Sequence, residues 1–279
     1  MAKAPHQKTP SLADLRREID RIDETMHALL IERGQIIDEL IAVKKSQETG
    51  SAFRPAREAD MMRRLVERHH GSLPLDTVES IWRVIISTFT YVQAPFSIHA
   101  DLSAGDALMR DSARFHFGFT VPFEPHIGAA GVVQAVTASR GDLGLVPAFA
   151  VAGAGPWWTA LEFETAPKII ARLPFVERAD HPAGLPVFVI SRVPADAMVT
   201  ETEVWSVRVS GWTANAVDRL AGIADAIAVP DRAFDGGALL ISVARDGIGR
   251  VAEALLATGA SIRSRTLVGS HATRYTVPR

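Results

Sequence analysis

The 279-residue chain contains no cysteine. That absence removes disulfide frameworks, thiolate metal sites and cysteine nucleophiles. Long apolar runs are missing too. No stretch of about 18 apolar residues occurs, and the opening MAKAPHQKTP lacks the apolar core of a secretory leader. A soluble, cytoplasmic protein is expected. A large charge of either sign is also lacking. The net charge of -2 supplies no field to recruit nucleic acid or an acidic membrane, so neither is expected as a partner. The hydrophobic share of 47% and charged share of 22% are ordinary for a globular protein, over a length that suits two or three domains with real cores.

After ten residues that read as a disordered tail, the chain turns strongly periodic. In TPSLADLRREIDRIDETMHALLIERGQIIDELIAVKK, Ser11 is a good N-cap and Asp14 sits in the first turn. Apolar residues recur at Leu12, Leu15, Ile19, Ile22, Met26 and Leu29–Leu30. The same seam continues through Arg33, Ile37, Leu40 and Lys44, a 3-4 repeat over about nine turns. A helix this long needs a partner along its length, so antiparallel packing or a dimer is expected.

Two seam positions are cationic. Either side chain alone reads as one that snorkels to the rim. Both together call for an anion, because a buried, unpaired cation costs several kcal/mol. Arg33 and Lys44 lie about 16 Å apart on nearly the same face, so their side chains can lean together and close on one small molecule. Arg16 lies roughly 25 Å from Arg33 on the same rod, too far to share that ligand. In an antiparallel dimer Arg16 of one chain reaches the site of the other.

ETGSAF breaks the first helix near Gly50. RPAREADMMRRLVERHHG reads as a second helix, with Pro55 in its first turn and Gly71 at its stop. LPLDTVESIWRVIISTFTYVQAP reads as a third, where Asp76 and Glu79 form a D-x-x-E start close to a capping box. Its apolar positions are Val78, Ile81, Trp82, Ile85, Ile86, Phe89 and Val92. Gln93 extends the Trp82, Ile86, Phe89 stripe, either as a frayed helix end or as a ligand contact. His69 and His70 suit a helix C-terminus and, as adjacent residues, diverge too far to form a zinc site.

From about residue 11 to 95 these features resemble the all-helical class of chorismate mutases: one long helix, a loop with Arg-Pro, a second helix opening R-x-x-R-[DE] and a third closing in Gln or Glu. The resemblance implies a three-helix domain over 11–96 that forms a helix-swapped homodimer with shared sites. It implies that Arg33 and Arg57 lie in the site, that Lys44 and Gln93 address the ether oxygen and Glu58 the ring hydroxyl, and that Arg16 crosses from the partner chain to a substrate carboxylate. Met61 and Met62 stand where the simplest members carry Arg-Glu, whose Glu helps hold the hydroxyl. Longer, multidomain members also carry apolar residues there. The implied reaction, chorismate to prephenate, is pericyclic. It needs no general base, nucleophile, metal or cofactor, which fits the lack of a catalytic triad. Arg forks suit the folding of a flexible dianion into a reactive chair.

From Ser97 the texture turns to Ala, Val and Gly, with short strands alternating with helices. IGAAGVVQAVTASRGDLGLVPAFAV reads as a helix and then a buried strand from Leu143 to Val146, and AGLPVFVISR as another strand. Residues 97–200 loosely resemble one lobe of prephenate dehydratase. GDLGLVP resembles that family's strand before its Glu-Asn-Ser motif, but Ala148, Phe149 and Ala150 follow. DHPAGLPVFVIS resembles the segment with the Asn-Ser-Thr-Arg-Phe motif, but reads Gly184, Leu185, Pro186, Val187 and Phe188 there. The glycine-rich Gly-Thr-Phe-Ser signature is missing, and the segment is near half the length of a two-lobed domain. Thr273–Tyr275 resembles a displaced Thr-Arg-Phe, but it follows the stretch that matches the family's end and reads mainly as a chance likeness. Trp157 and Trp158 in GAGPWW read as aromatics pinning a loop to the core rather than as a ligand pocket.

Residues 201–279 read β-α-β-β-α-β, with turn chemistry at Asp235-Gly236-Gly237. The order suits a ferredoxin-like unit and resembles an ACT regulatory domain. RTLVGSH resembles the terminal strand of phenylalanine-pathway enzymes, while the Glu-Ser-Arg-Pro ligand signature is absent. The fold expected is therefore an all-α mutase domain followed by a degenerate dehydratase-like α/β domain and an ACT-like end. The leading function is a chorismate mutase of aromatic amino-acid biosynthesis, with chorismate and prephenate as its small-molecule partners and an aromatic amino acid as the implied effector class. The alternatives are a bifunctional chorismate mutase–prephenate dehydratase and a non-catalytic aromatic-acid sensor.

Overall fold

The computed structural model describes residues 10–44, 52–192, 201–211, 215–231 and 236–277. The chain divides into two compact units, Met1–Glu48 and Thr49–Arg279. The described part of the first unit is a helix, α1 (Leu12–Lys44). Its start is capped reciprocally. The Ser11 hydroxyl accepts from the Asp14 backbone N–H (3.1 Å), and the Asp14 carboxylate accepts from the Ser11 backbone N–H (2.9 Å) and hydroxyl (2.6 Å). Leu12, Leu15, Ile19, Ile22, Met26 and Leu29 are between 43% and 64% exposed. The apolar seam that the periodicity predicts thus lies largely uncovered in a single chain.

The second unit opens with α2 (Pro55–Arg68) and α3 (Leu75–Gln93). Pro55 occupies the first turn of α2, where a missing N–H removes no bond. The start of α3 departs from the expectation. Its N-cap is Pro74 and no side chain caps it. Asp76 and Glu79 reach instead to Arg178, because a buried guanidinium offers a carboxylate more than an exposed helix end does. The buried face of α3 differs as well. It carries Glu79, Arg83, Ser87 and Thr90 beside Val78 and Ile86, whereas Ile81 and Val92 of the expected stripe are exposed.

The remainder follows in order: β1 (Ile98–Asp101), α4 (Asp106–Phe117), β2 (Phe123–His126), α5 (Ala129–Ala138), β3 (Leu143–Pro147), β4 (Lys168–Leu173), β5 (Val176–Glu177), β6 (Val187–Ser191), β7 (Thr202–Ser210), α6 (Asn215–Asp218), β8 (Ala224–Asp231), β9 (Gly236–Ala244), α7 (Ile248–Ala257), β10 (Ser261–His271) and β11 (Tyr275–Thr276). Nine strands form one mixed sheet in the order β2-β1-β3-β6-β4-β10-β7-β9-β8, and β11 pairs with β5 separately. β1 is parallel to β2 and β3, and β4 is parallel to β10. The expected buried strands are β3 and β6, buried along their whole lengths as strands inside a covered sheet are. Of the expected turn at Asp235-Gly236-Gly237, Asp235 lies outside the described residues, and the two glycines open β9.

The sheet is continuous from the α/β segment into the last segment through one close approach. Gly269 of β10 faces Ile169 of β4, and a Cβ on Gly269 would overlap the Ile169 backbone. Only glycine permits that contact. Among the described residues three apolar cores result. Met62, Leu65 and Ile86 of the helices join Ile98, Phe117 and Leu145 in the first. Val132, Trp158 and Phe188 belong to the second, and Val207, Leu239 and Leu255 to the third. Among the described residues no helix is long and apolar enough to cross a membrane.

Candidate functional site

On α1, Arg16 is exposed, Arg33 is half-buried and Lys44 is the final residue. The side chain of Lys44 lies outside the described residues. Arg57 and Glu58 stand together in the first turns of α2, and Gln93 ends α3. Arg57 is exposed and Gln93 half-buried. The Gln93 amide nitrogen donates to the Phe89 carbonyl at 3.0 Å, an i to i-4 bond that holds the side chain along its own helix.

Glu58 is only 4% exposed. Its carboxylate accepts from Arg83 Nη1 at 2.7 Å, and Arg83 Nη2 donates to the His116 carbonyl at 3.0 Å. The Arg83 guanidinium also lies over the Phe175 ring, 5.2 Å from its centroid. Burial raises the Glu58 pKa, against the opposing pull of Arg83. With Arg83 on one carboxylate oxygen and 4% of the residue exposed, Glu58 has little surface free to meet a ligand. Sequence reasoning missed Arg83. The available signal was a charge pair, Glu79 and Arg83, one turn apart inside an otherwise apolar helix.

A second polar cluster lies alongside. Glu79 accepts from Arg178 Nη1 at 2.7 Å and from His181 Nε2 at 3.1 Å. His181 Nδ1 accepts from the Ala183 backbone N–H, so its proton must sit on Nε2. The His116 ring stacks on His181 at 6.0 Å, and burial, with Arg83 nearby, holds its pKa well below the usual range. Met62 is fully buried in the first core and Met61 packs against it.

The dehydratase-like positions are apolar in space as in sequence. Val187 is fully buried, paired with Pro147 of β3 on one side and Leu173 of β4 on the other. Arg274 of the terminal Thr-Arg-Tyr pairs with Glu177 at 2.6 Å. Trp158 is 1% exposed within the second core, so it pins its loop as the sequence suggests. His69 and His70 each make a ring contact with a backbone carbonyl at 2.9 Å, Leu73 and Arg68 respectively. Among the described residues no group of three or more acidic or imidazole side chains is placed to hold a metal.

Residues 15–94 match the family model of type II chorismate mutase. The helical segment is therefore similar to that class, as its motifs imply. Over 140 residues the chain is 29% identical to the bifunctional chorismate mutase/prephenate dehydratase of Stutzerimonas stutzeri, an alignment covering 49% of this chain and 38% of that protein. The chain thus spans well under half the length of this curated relative. Two solved structures align over the fold at low similarity. One is described as a novel type of quorum-quenching acylase, GqqA (14% identity, TM-score 0.41, 63% of this chain and 94% of that one). The other is prephenate dehydratase from Streptococcus mutans (12% identity, TM-score 0.36, 66% and 100%). Neither likeness carries a functional argument.

Proposed function

We propose that this chain is a chorismate mutase, an isomerase that rearranges chorismate to prephenate. The observation that carries the reading is the match of residues 15–94 to the type II chorismate mutase model. The cationic pair on the α1 seam gives it a chemical basis. Arg33 and Arg57 bind the substrate carboxylates, joined by Arg16 from a partner chain. Lys44 and Gln93 donate hydrogen bonds to the ether oxygen as its bond breaks, where a preorganised donor in a dry site is worth about 3–4 kcal/mol. Glu58 accepts from the ring hydroxyl while Arg83 holds its carboxylate in place.

The assembly in this reading is a homodimer with sites shared between chains. The uncovered seam on α1 supports it, since a soluble helix rarely leaves such a stripe bare. Residues 11–96 are the mutase domain, residues 97–200 a dehydratase-like domain without dehydratase chemistry, and residues 201–279 an ACT-like domain. The sheet order β10-β7-β9-β8 within a β-α-β-β-α-β segment supports a ferredoxin-like arrangement for the last. An aromatic amino acid is the effector class that such a domain suggests.

A second reading, mutase plus dehydratase, is favoured by the bifunctional relative. The side chains argue against it, because Pro186 and Val187 stand at the implied Thr-Arg positions without a polar group, and Val187 is fully buried. Incubating the full chain with chorismate separates the readings. Chorismate loss with lasting prephenate is the expected result. Phenylpyruvate formed above the spontaneous rate would establish the bifunctional reading, and no turnover would leave the sensor.

A further inference from the structure

The second unit contains a polar cavity of about 400 Å3 whose wall includes Arg172, His271 and Arg274. A larger cavity of about 610 Å3 shares Arg172, Asp225 and Ser242 with it and is lined mainly by apolar groups, among them Phe149, Phe188, Ile227 and Leu240. None of these residues belongs to the proposed mutase site, and the inference does not rest on that reading.

Both arginines are largely buried, with side chains 13% and 14% exposed. Each pairs with a more exposed carboxylate: Arg172 with Asp225 (68% exposed) and Arg274 with Glu177 (45%). The Arg172 guanidinium lies 5.8 Å over the Phe188 ring, and the His271 ring is 6.2 Å from the same ring. The Phe188 ring therefore neighbours both a cation and an imidazole.

Two buried polar atoms of this cluster have no partner among the described residues, Arg172 Nε and His271 Nε2. Their roles are fixed by chemistry. His271 Nδ1 is 2.8 Å from the Ala272 carbonyl, which can only accept, so Nδ1 bears the proton. Nε2 of the neutral ring is then a bare acceptor, while Arg172 Nε is necessarily a donor. Arg172 calls for an acceptor and His271 for a donor. A carboxylate that carries a donor on the neighbouring carbon supplies both from one molecule. The donor should be uncharged, because Arg172 and Arg274 both disfavour a positive charge at His271. The adjoining apolar cavity suits a hydrocarbon tail.

We infer that this pair of cavities binds a small 2-hydroxycarboxylate with an apolar tail. Its carboxylate sits on Arg172 and Arg274 in place of Asp225 and Glu177, which swing outward. Its hydroxyl donates to His271 Nε2, and its tail lies over Phe188.

The test is calorimetry on the full chain with three probes: 3-phenyllactate, 3-phenylpropionate, which lacks the hydroxyl, and phenylalanine, which carries an ammonium instead. Phenyllactate should bind about tenfold or more tighter than either of the others, the discrimination expected of one buried hydrogen bond. Arg172→Gln should weaken phenyllactate by about tenfold. Asp225→Asn, a change on the exposed side, should tighten it by removing a competing carboxylate. No saturable binding, equal binding of phenylpropionate, or an unchanged Kd in a folded Arg172→Gln protein would overturn the inference. If Arg172→Gln does not fold, Asp225→Asn decides alone, and unchanged or weaker binding in that variant sinks the site.

Discussion

Lys44 and His271 show how a single ionisable group is judged by what it does to two states at once. Lys44→Met keeps the helix propensity and most of the apolar stem. In the proposed mechanism its contact strengthens as the ether bond breaks, so the loss should fall on kcat by about two to three orders of magnitude. Arg33→Met should instead raise KM, because a carboxylate contact is made in substrate and transition state alike. A Lys44→Met enzyme with near-native kcat would return Lys44 to a snorkelling role. For His271 the two states are folded and unfolded. Burial lowers its pKa from 6.5 to about 4, with Arg172 and Arg274 pulling the same way. A depressed folded pKa means that no penalty exists above about pH 6.5. The penalty grows as pH falls toward 4 and is complete below it, reaching about 3 kcal/mol. Urea midpoints should fall across that window, and His271→Phe should flatten the slope. A midpoint independent of pH between 7 and 4 would count against it.

At the scale of elements, the sequence was most legible where one period persisted. The α1 repeat runs from Leu12 through Leu40 without a Gly or Pro inside the seam, apart from Gly34 beside Arg33, and both the helix and its Ser11 cap follow from it. The α3 face was read one step out of phase. Hydrophobicity selects Ile81 and Val92, but Glu79 and Arg83 turn inward because Arg178, His181, Glu58 and the His116 carbonyl lie there to receive them. Partners so distant in sequence leave no local trace. Two predictions belong here. Ile22→Glu places a charge on the uncovered seam and should weaken self-association by about tenfold or more. Sedimentation of the wild-type chain as a monomer with full turnover would sink the shared site. Gly269→Ala forces a Cβ into the Ile169 backbone and should cost about 2–3 kcal/mol in urea unfolding. A neutral result would mean that the β4–β10 contact yields easily.

For the whole molecule, the three-part division read along the chain is partly hidden by cores that cross it. The continuous sheet joins β4 to β10, a pairing that no local pattern announces. α2 and α3 are tied in just as closely. Met62, Leu65 and Ile86 share a core with Ile98, Phe117 and Leu145. Arg83 bonds the His116 carbonyl, and Glu79 takes Arg178 and His181. A fragment ending at residue 96 loses all of these partners. Glu79 and Arg83 are among the most buried side chains in the protein, at 0% and 1% exposed. In the fragment these two lose cover as well as partners, and the apolar side chains of the shared core are left exposed, at about 1.5–3 kcal/mol for each large one, against an ordinary domain's margin of about 5–15 kcal/mol. The fragment should therefore melt well below the full chain and turn over chorismate at least about tenfold more slowly. Arg178→Met in the full chain examines the same tie without truncation. It leaves Glu79 with His181 alone and should lower the melting temperature while the α/β sheet stays folded. A fragment with the stability and turnover of the whole would mean that α2 and α3 need nothing from the sheet they pack against, and that Glu79 and Arg83 find equivalent partners elsewhere.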